Sequence, residues 1–158
     1  VSEGTSGLCT AAEGVSGSAT MVGSWLSSLS ADAEMLEHAA QAGIPLAVVS
    51  NTLSGAAHRD FLDKAGIGDY FAAQFYSDEV GVRKPNPQMI WHATDALGVP
   101  PERCWFVGDT PRRDIECSRR AGIGRAVLMP SPRTRSEPDG PAADDVVEDG
   151  FGLLKLLG

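Results

Sequence analysis

The sequence has few cysteines, no long apolar run and no basic cluster, and each absence excludes a class of protein. Its three cysteines, Cys9, Cys104 and Cys117, are an odd number without Cys-x-x-Cys spacing, so neither a disulfide framework nor a zinc site is indicated. No apolar run approaches membrane-spanning length, and no basic segment followed by an apolar core stands at the N-terminus. We therefore expect a cytoplasmic protein with reduced thiols and no membrane partner.

The charge balance excludes a second class. The net charge is −8, whereas a nucleic-acid-binding protein carries a clustered basic face, so we expect no nucleic-acid partner. The hydrophobic fraction of 42% and the charged fraction of 22% are ordinary for a globular protein, and 158 residues suffice for one domain with a substantial core.

The chain divides into two parts of different composition. Residues 1–24 are dense in Gly, Ser, Thr and Ala, which predicts an irregular N-terminal segment. From residue 25 to 158, short apolar runs alternate with amphipathic stretches that end at glycines. Alternation of this kind predicts an α/β domain, in which helices cover a parallel sheet. The predicted strands lie at 46–49, 74–76, 104–107, 126–129 and 145–147, and the predicted helices at 30–42, 54–65, 87–97, 112–121 and 151–157.

Two carboxylates follow the apolar run at 104–107. The run ends in Gly108 and Asp109, and Asp114 comes five positions after the first acid. Ligands of open α/β sheets bind at the carboxyl ends of the strands. Two acids in that place indicate a hard, oxygen-ligated cation such as Mg2+. The alternative is structural, with Asp109 capping the next helix.

Two further polar clusters point to an anion. Ser50, Asn51 and Thr52 end the strand at 46–49 ahead of a helix, where a hydroxyl and backbone amides suit a phosphate group, although the same residue types also serve as a plain N-cap. Lys84 stands between Gly81 and two prolines, so a stiff backbone holds its ammonium toward an anion. The alternative for Lys84 is an ordinary solvated lysine.

Together these clusters resemble the motifs of the haloacid dehalogenase-like hydrolases, most of which are Mg2+-dependent phosphatases. Ser50 in Val-Val-Ser-Asn-Thr is similar to the second motif of the family, and Lys84 in Gly-Val-Arg-Lys-Pro-Asn-Pro to the third. Gly108-Asp109 with Asp114 is similar to the fourth. The resemblance covers residues 25–158, and it implies a three-layer, Rossmann-like core domain.

The resemblance also implies a mechanism. In such enzymes an aspartate attacks phosphorus, and water hydrolyses the resulting aspartyl-phosphate. Ser50, Asn51 and Lys84 would then bind the phosphoryl group of a small phosphorylated metabolite, with Ser50 and Lys84 as the catalytic residues of this chain. Asp109 would ligate Mg2+, and Asp114 would either join it there or orient Lys84.

The chain departs from the family at the first motif. No Asp-x-Asp occurs in the sequence, and neither 32–34 nor 144–145 follows a predicted strand. The resemblance implies that this motif ends a central strand, between the strands that end at Ser50 and Asp109, and that a helical cap selects the substrate. We therefore expect a central strand that is missing or replaced.

Three explanations fit this departure. The chain is a truncated product or a misassigned reading frame, or the apolar patch at 19–22 fills the gap, or a partner chain supplies the strand. We favour the first two, since nothing in the sequence indicates a partner chain or an oligomer. The function then has two alternatives: a phosphatase-type hydrolase whose nucleophile motif is absent from this chain, or a non-catalytic homologue that binds phosphate or Mg2+ or acts through protein interaction.

Overall fold

Six strands form a single sheet. The computed structural model describes residues 5–10 and 29–158. The strands are β1 (Thr5–Thr10), β2 (Leu46–Asn51), β3 (Phe71–Tyr76), β4 (Trp105–Gly108), β5 (Arg125–Leu128) and β6 (Asp145–Val146). Their order across the sheet is β3-β2-β1-β4-β5-β6. β2 pairs with β3, β4 with β5 and β5 with β6, all in parallel, as the alternation of strands and helices predicts.

Helices flank the sheet. They are α1 (Leu29–Gln41), α2 (Gly55–Lys64), α3 (Ser77–Val80), α4 (Gln88–Leu97), α5 (Glu116–Ala121) and α6 (Gly150–Leu157). α4 packs across β2 and β3 and against α5, while α1 packs against α6. The predicted α/β architecture is confirmed. Within the described part of the chain, no helix combines the length and the apolar character that a membrane crossing requires.

β2 and β4 are fully buried strands of the sheet. Every residue of both strands is buried, including Ser50 and Asn51 at the end of β2. Continuous apolar runs are typical of strands that helices cover on both faces, and this is the pattern that the sequence shows at 46–49 and 104–107. Polar groups at the carboxyl ends of these two strands therefore lie at one edge of a well-packed core.

Most helix boundaries follow local chemistry. Ser54 is the N-cap of α2, and its side chain accepts a hydrogen bond from the amide of Ala57 at 3.2 Å. α4 and α5 end at Gly98 and Gly122, both in the left-handed conformation that favours glycine. The helix predicted from residue 112 begins as a π-helical turn, Pro111–Ile115, which continues into α5.

The central strand of the sheet differs in direction from the parallel strands that the sequence predicts. β1 occupies the place between β2 and β4, and it runs antiparallel to both. Ser6 lies opposite Ser50, and Leu8 lies between Val48 and Val107. Residues 5–10, part of the segment expected to be irregular, thus replace the missing strand. The patch at 19–22, whose insertion into this gap was one of the three explanations, lies outside the described residues.

The central position of β1 can be tested with one pair of substitutions. Leu8→Pro removes a backbone donor between two partner strands, and a buried carbonyl left unpaired costs about 1–3 kcal/mol. Leu8→Val keeps the donor and the strand propensity. We expect urea unfolding to show a clear loss of stability for the proline variant only. Equal stabilities for the two variants would contradict a central β1.

Candidate functional site

A buried ion pair lies between the carboxyl ends of β2 and β4. Nζ of Lys84 is 2.6 Å from Oδ1 of Asp114, and neither side chain is exposed. The same ammonium donates a second hydrogen bond, of 3.2 Å, to the backbone carbonyl of Val49 in β2. Lys84 is therefore a fixed, desolvated cation. The alternative of a solvated surface lysine is wrong, because the Lys84 side chain is fully buried and lies against the carboxyl end of β2.

The second oxygen of Asp114 is also engaged. Oδ2 accepts hydrogen bonds from the amide of Asp109 at 3.1 Å, the amide of Thr110 at 3.0 Å and the hydroxyl of Thr110 at 2.9 Å. A Cβ at position 108 would overlap the side chain of Asp114, so the close approach requires Gly108. Of the two roles that the sequence left open for Asp114, this geometry favours the orientation of Lys84.

These contacts set the charge state of Asp114. Burial alone would raise the pKa of its carboxyl group. The positive charge of Lys84 and the hydrogen bonds from Lys84, Asp109 and Thr110 outweigh burial and hold this pKa below its ordinary value of 3.8. Asp114 is therefore ionised at neutral pH.

Asn51 holds the backbone of Lys84. Its Oδ1 accepts from the amide of Lys84 at 2.8 Å, and its Nδ2 donates to the carbonyl of Lys84 at 3.0 Å. Both polar atoms of this amide are thus directed at the lysine, whereas we expected Asn51 to contact phosphate. Its effect on a bound anion would pass through the position of Lys84.

Two amides at the start of α2 already have partners. The amide of Thr52 donates to the hydroxyl of Ser77 at 2.9 Å, and the amide of Gly55 donates to both carboxylate oxygens of Asp78 at 3.1 Å. Residues of α3 therefore occupy two of the amides that were expected to contribute to a phosphate cradle at this helix terminus. Sequence reasoning missed Ser77 and Asp78, although their place directly after a strand parallel to β2 put them at the same sheet edge.

The loop before β6 is tied to the turn that carries the acids. Arg113 forms an ion pair of 2.8 Å with Glu137, and Nε of Arg112 donates to the carbonyl of Asp139 at 3.0 Å. A Cβ on Gly140 would lie 3.0 Å from the backbone of Pro111, so the loop packs closely on the turn. Both arginines thus contact this loop.

The fit to a divalent cation rests on Asp109. Among the side chains that the structure describes, no group of three or more His, Cys, Asp or Glu is arranged to hold a metal ion. Mg2+ is commonly held by one or two carboxylates together with waters and substrate phosphates. Asp109, 2% exposed at the end of β4, could supply one such oxygen ligand, while both oxygens of Asp114 accept hydrogen bonds from protein groups. The donor set therefore fits a cation that a bound phosphate helps to hold.

Comparison with known proteins decides the family. Residues 25–122, more than half of the 158 residues, match the model of the haloacid dehalogenase-like hydrolases. The chain belongs to the haloacid dehalogenase-like hydrolases. All four motif residues that suggested this family, Ser50, Lys84, Asp109 and Asp114, fall inside the matched range.

Curated relatives of the haloacid dehalogenase-like family include named phosphatases. The chain is 36% identical over 126 residues to a phosphoglycolate phosphatase of Pectobacterium atrosepticum. This alignment covers 79% of this chain and 53% of that protein. It is 37% identical over 94 residues to a phosphoserine phosphatase of Thermus thermophilus, and this second alignment covers 60% of this chain and 37% of that protein. The chain thus spans about a third to a half of the length of these relatives.

Solved structures of the family agree with the fold. A phosphatase of the family from Thermococcus onnurineus aligns with a TM-score of 0.67 and 28% identity, over 79% of this chain and 55% of the other. The Rhodobacter sphaeroides CbbY structure, solved in complex with phosphate, aligns with a TM-score of 0.66 and 29% identity, over 77% of this chain and 53% of the other.

The energetic coupling of Lys84 and Asp114 is a measurable quantity. Lys84→Met or Asp114→Asn alone leaves one uncompensated buried charge, and we expect each to cost about 3–5 kcal/mol in urea unfolding. The double variant buries no charge, so its cost should fall well below the sum of the two.

An exposed pair provides the control. Lys64 and Asp60 are 2.8 Å apart, but their side chains are 76% and 62% exposed. The matching cycle, Lys64→Met with Asp60→Asn, should show a coupling of at most about 0.5 kcal/mol. Similar coupling in both cycles would contradict the special role of the buried pair.

The depressed pKa of Asp114 predicts a pH dependence of stability. Its ionised form stabilises the fold fully above the unfolded-state pKa, and this contribution is lost as the pH falls through the lower folded-state pKa. We expect the difference in unfolding free energy between wild type and Asp114→Asn to be constant above about pH 5 and to shrink below about pH 4. A difference that grows on acidification would contradict the ionised pair.

Proposed function

We propose that this chain binds the phosphoryl group of a small phosphorylated metabolite and belongs to a phosphatase-type hydrolase. The observation that carries the proposal is the hydrogen bonding of Lys84. An ammonium group has three donors, and two of them serve Asp114 and the carbonyl of Val49. The third has no partner among the described residues, and an anionic oxygen at this end of β2 would satisfy it.

The residues of this chain would act mainly by electrostatics. Lys84 offsets the negative charge of the phosphoryl oxygens, in a site where burial strengthens every charge interaction. Ser50, buried at the end of β2, donates a hydrogen bond to one of these oxygens. Asp114 and Asn51 act through Lys84, one on its side chain and the other on its backbone.

Mg2+ is the cofactor that this arrangement suits. Asp109 would hold it, directly or through water. The bound ion would supply positive charge that reduces the repulsion between the phosphate and an attacking anion.

A second candidate function is supported by β1. The resemblance places the nucleophilic aspartate at the end of the central strand, and here that strand is Thr-Ser-Gly-Leu-Cys-Thr, without a carboxylate. Such a chain would bind phosphate or Mg2+ without hydrolysing an ester. The relatives named as phosphatases favour hydrolysis by a whole protein of this family. The composition of β1 favours a chain that binds phosphate or Mg2+ and hydrolyses no ester.

One experiment separates the two functions. Purified protein of this length is assayed for Mg2+-dependent turnover of an aryl phosphate, and its melting temperature is measured with inorganic phosphate and with Mg2+. Turnover that Asp109→Asn abolishes would support the hydrolase. No turnover, together with a melting temperature that either ligand raises, would support the binding protein.

Variants of the phosphate site supply the control. Ser50→Ala removes a hydroxyl without leaving a buried charge, so the variant should fold and lose most of the stabilisation by phosphate. Wild-type protein that shows no turnover and gains no stability from either phosphate or Mg2+ would overturn both candidate functions. A Ser50→Ala response equal to that of wild type would exclude the assigned phosphate site.

A further inference from the structure

An open cavity adjoins the candidate phosphate site. Its volume is about 510 Å3, within the range of pockets that hold small ligands. The residues that carry the argument are Asn51, Thr52 and Leu53 after β2, and Val82 and Arg83 ahead of Lys84. The two loops that form the phosphate site therefore also form the walls of this cavity.

The position of the cavity fits the remainder of a phosphate ester. Asn51 lines it and holds the backbone of Lys84 at the same time. Arg83 directly precedes Lys84, yet the two side chains differ in surroundings, because Lys84 is buried against the sheet and Arg83 is exposed. A phosphoryl group at Lys84 would thus leave the rest of its molecule in the cavity.

The charged side chains around the cavity differ in whether they have a hydrogen-bond or ion-pair partner. Asp78 accepts the amide of Gly55 with both of its oxygens, and nearby Arg59 and Glu79 form an ion pair of 3.0 Å. Arg83, by contrast, makes no hydrogen bond or ion pair through its side chain within the described residues. Its guanidinium is therefore the charge in this lining that remains for a ligand.

Apolar surface faces the same space. Leu53, just before the N-cap of α2, is 76% exposed, and Val82 is partly exposed. A short carbon skeleton would cover both side chains. The lining thus combines apolar contact near the phosphate site with one cation at its rim.

We infer that this cavity receives the leaving group of the phosphate ester and that Arg83 binds a second anionic group on it, a carboxylate or a second phosphate. This inference rests on the proposed phosphate site. The fork of an arginine side chain suits both anions. Arg83 would then determine specificity, favouring doubly anionic esters over esters with a neutral leaving group.

Binding to matched ligands tests the inference without requiring turnover. Calorimetric titration compares 2-phosphoglycolate with its neutral amide, which has the same shape but lacks the second charge. We expect wild type to bind the acid about fivefold more tightly, the effect of one exposed ion pair, and Arg83→Gln to lose this preference. Ethane-1,2-diol bisphosphate in the same titrations shows whether a second phosphate is preferred to a carboxylate.

The control variant is Arg103→Gln. Arg103 is an exposed arginine at the opposite end of β4 from Asp109, and it should leave the preference for the acid unchanged. A preference that survives Arg83→Gln, or that Arg103→Gln removes equally, would overturn the inference while phosphate binding stands. Failure of wild type to bind even inorganic phosphate would overturn the proposed function itself.

Discussion

The buried ion pair between Lys84 and Asp114 is the interaction on which the rest of the site depends. Removing two charges from water is costly, and the attraction between them compensates only when their remaining hydrogen-bonding groups are satisfied. Here the carbonyl of Val49 and the turn at Thr110 satisfy them, except for the third N–H of Lys84, which has no partner among the described residues. The requirement explains why β4 ends in a glycine and why the loop after β3 returns to the edge of β2.

Local sequence was sufficient to predict the elements whose signal is local. The buried runs of β2 and β4, the Ser54 cap and the terminal glycines of α4 and α5 all follow from neighbouring residues. α3 was missed, because four residues are too few to show a helical period. β1 was missed because a segment rich in glycine, serine and threonine shows no apolar alternation, and its partners lie 36 or more residues away in the chain.

In the candidate site, too, local sequence predicts some features, and residues distant in the chain determine the others. The motif residues at the ends of β2 and β4 were identifiable by type and spacing. Their contacts were not, since the amide of Asn51 meets a residue 33 positions away, and the capping of α2 by Asp78 spans 23 positions. Sequence spacing does not reveal which of several polar groups at one sheet edge pair with each other. The side-chain amide of Asn51, a residue expected to contact phosphate, is thus directed at the backbone of Lys84.

The three contacts of Lys84 have a consequence for the thermodynamics of recognition. A free lysine side chain samples many rotamers, and fixing it costs about 2 kcal/mol of conformational entropy. In this fold Asp114, the carbonyl of Val49 and the amide of Asn51 fix the lysine before any anion arrives. The entropy is lost when the chain folds rather than when a ligand binds. Association with a phosphate group would thus meet a preorganised cation, and its free energy would be reduced little by the ordering of this side chain.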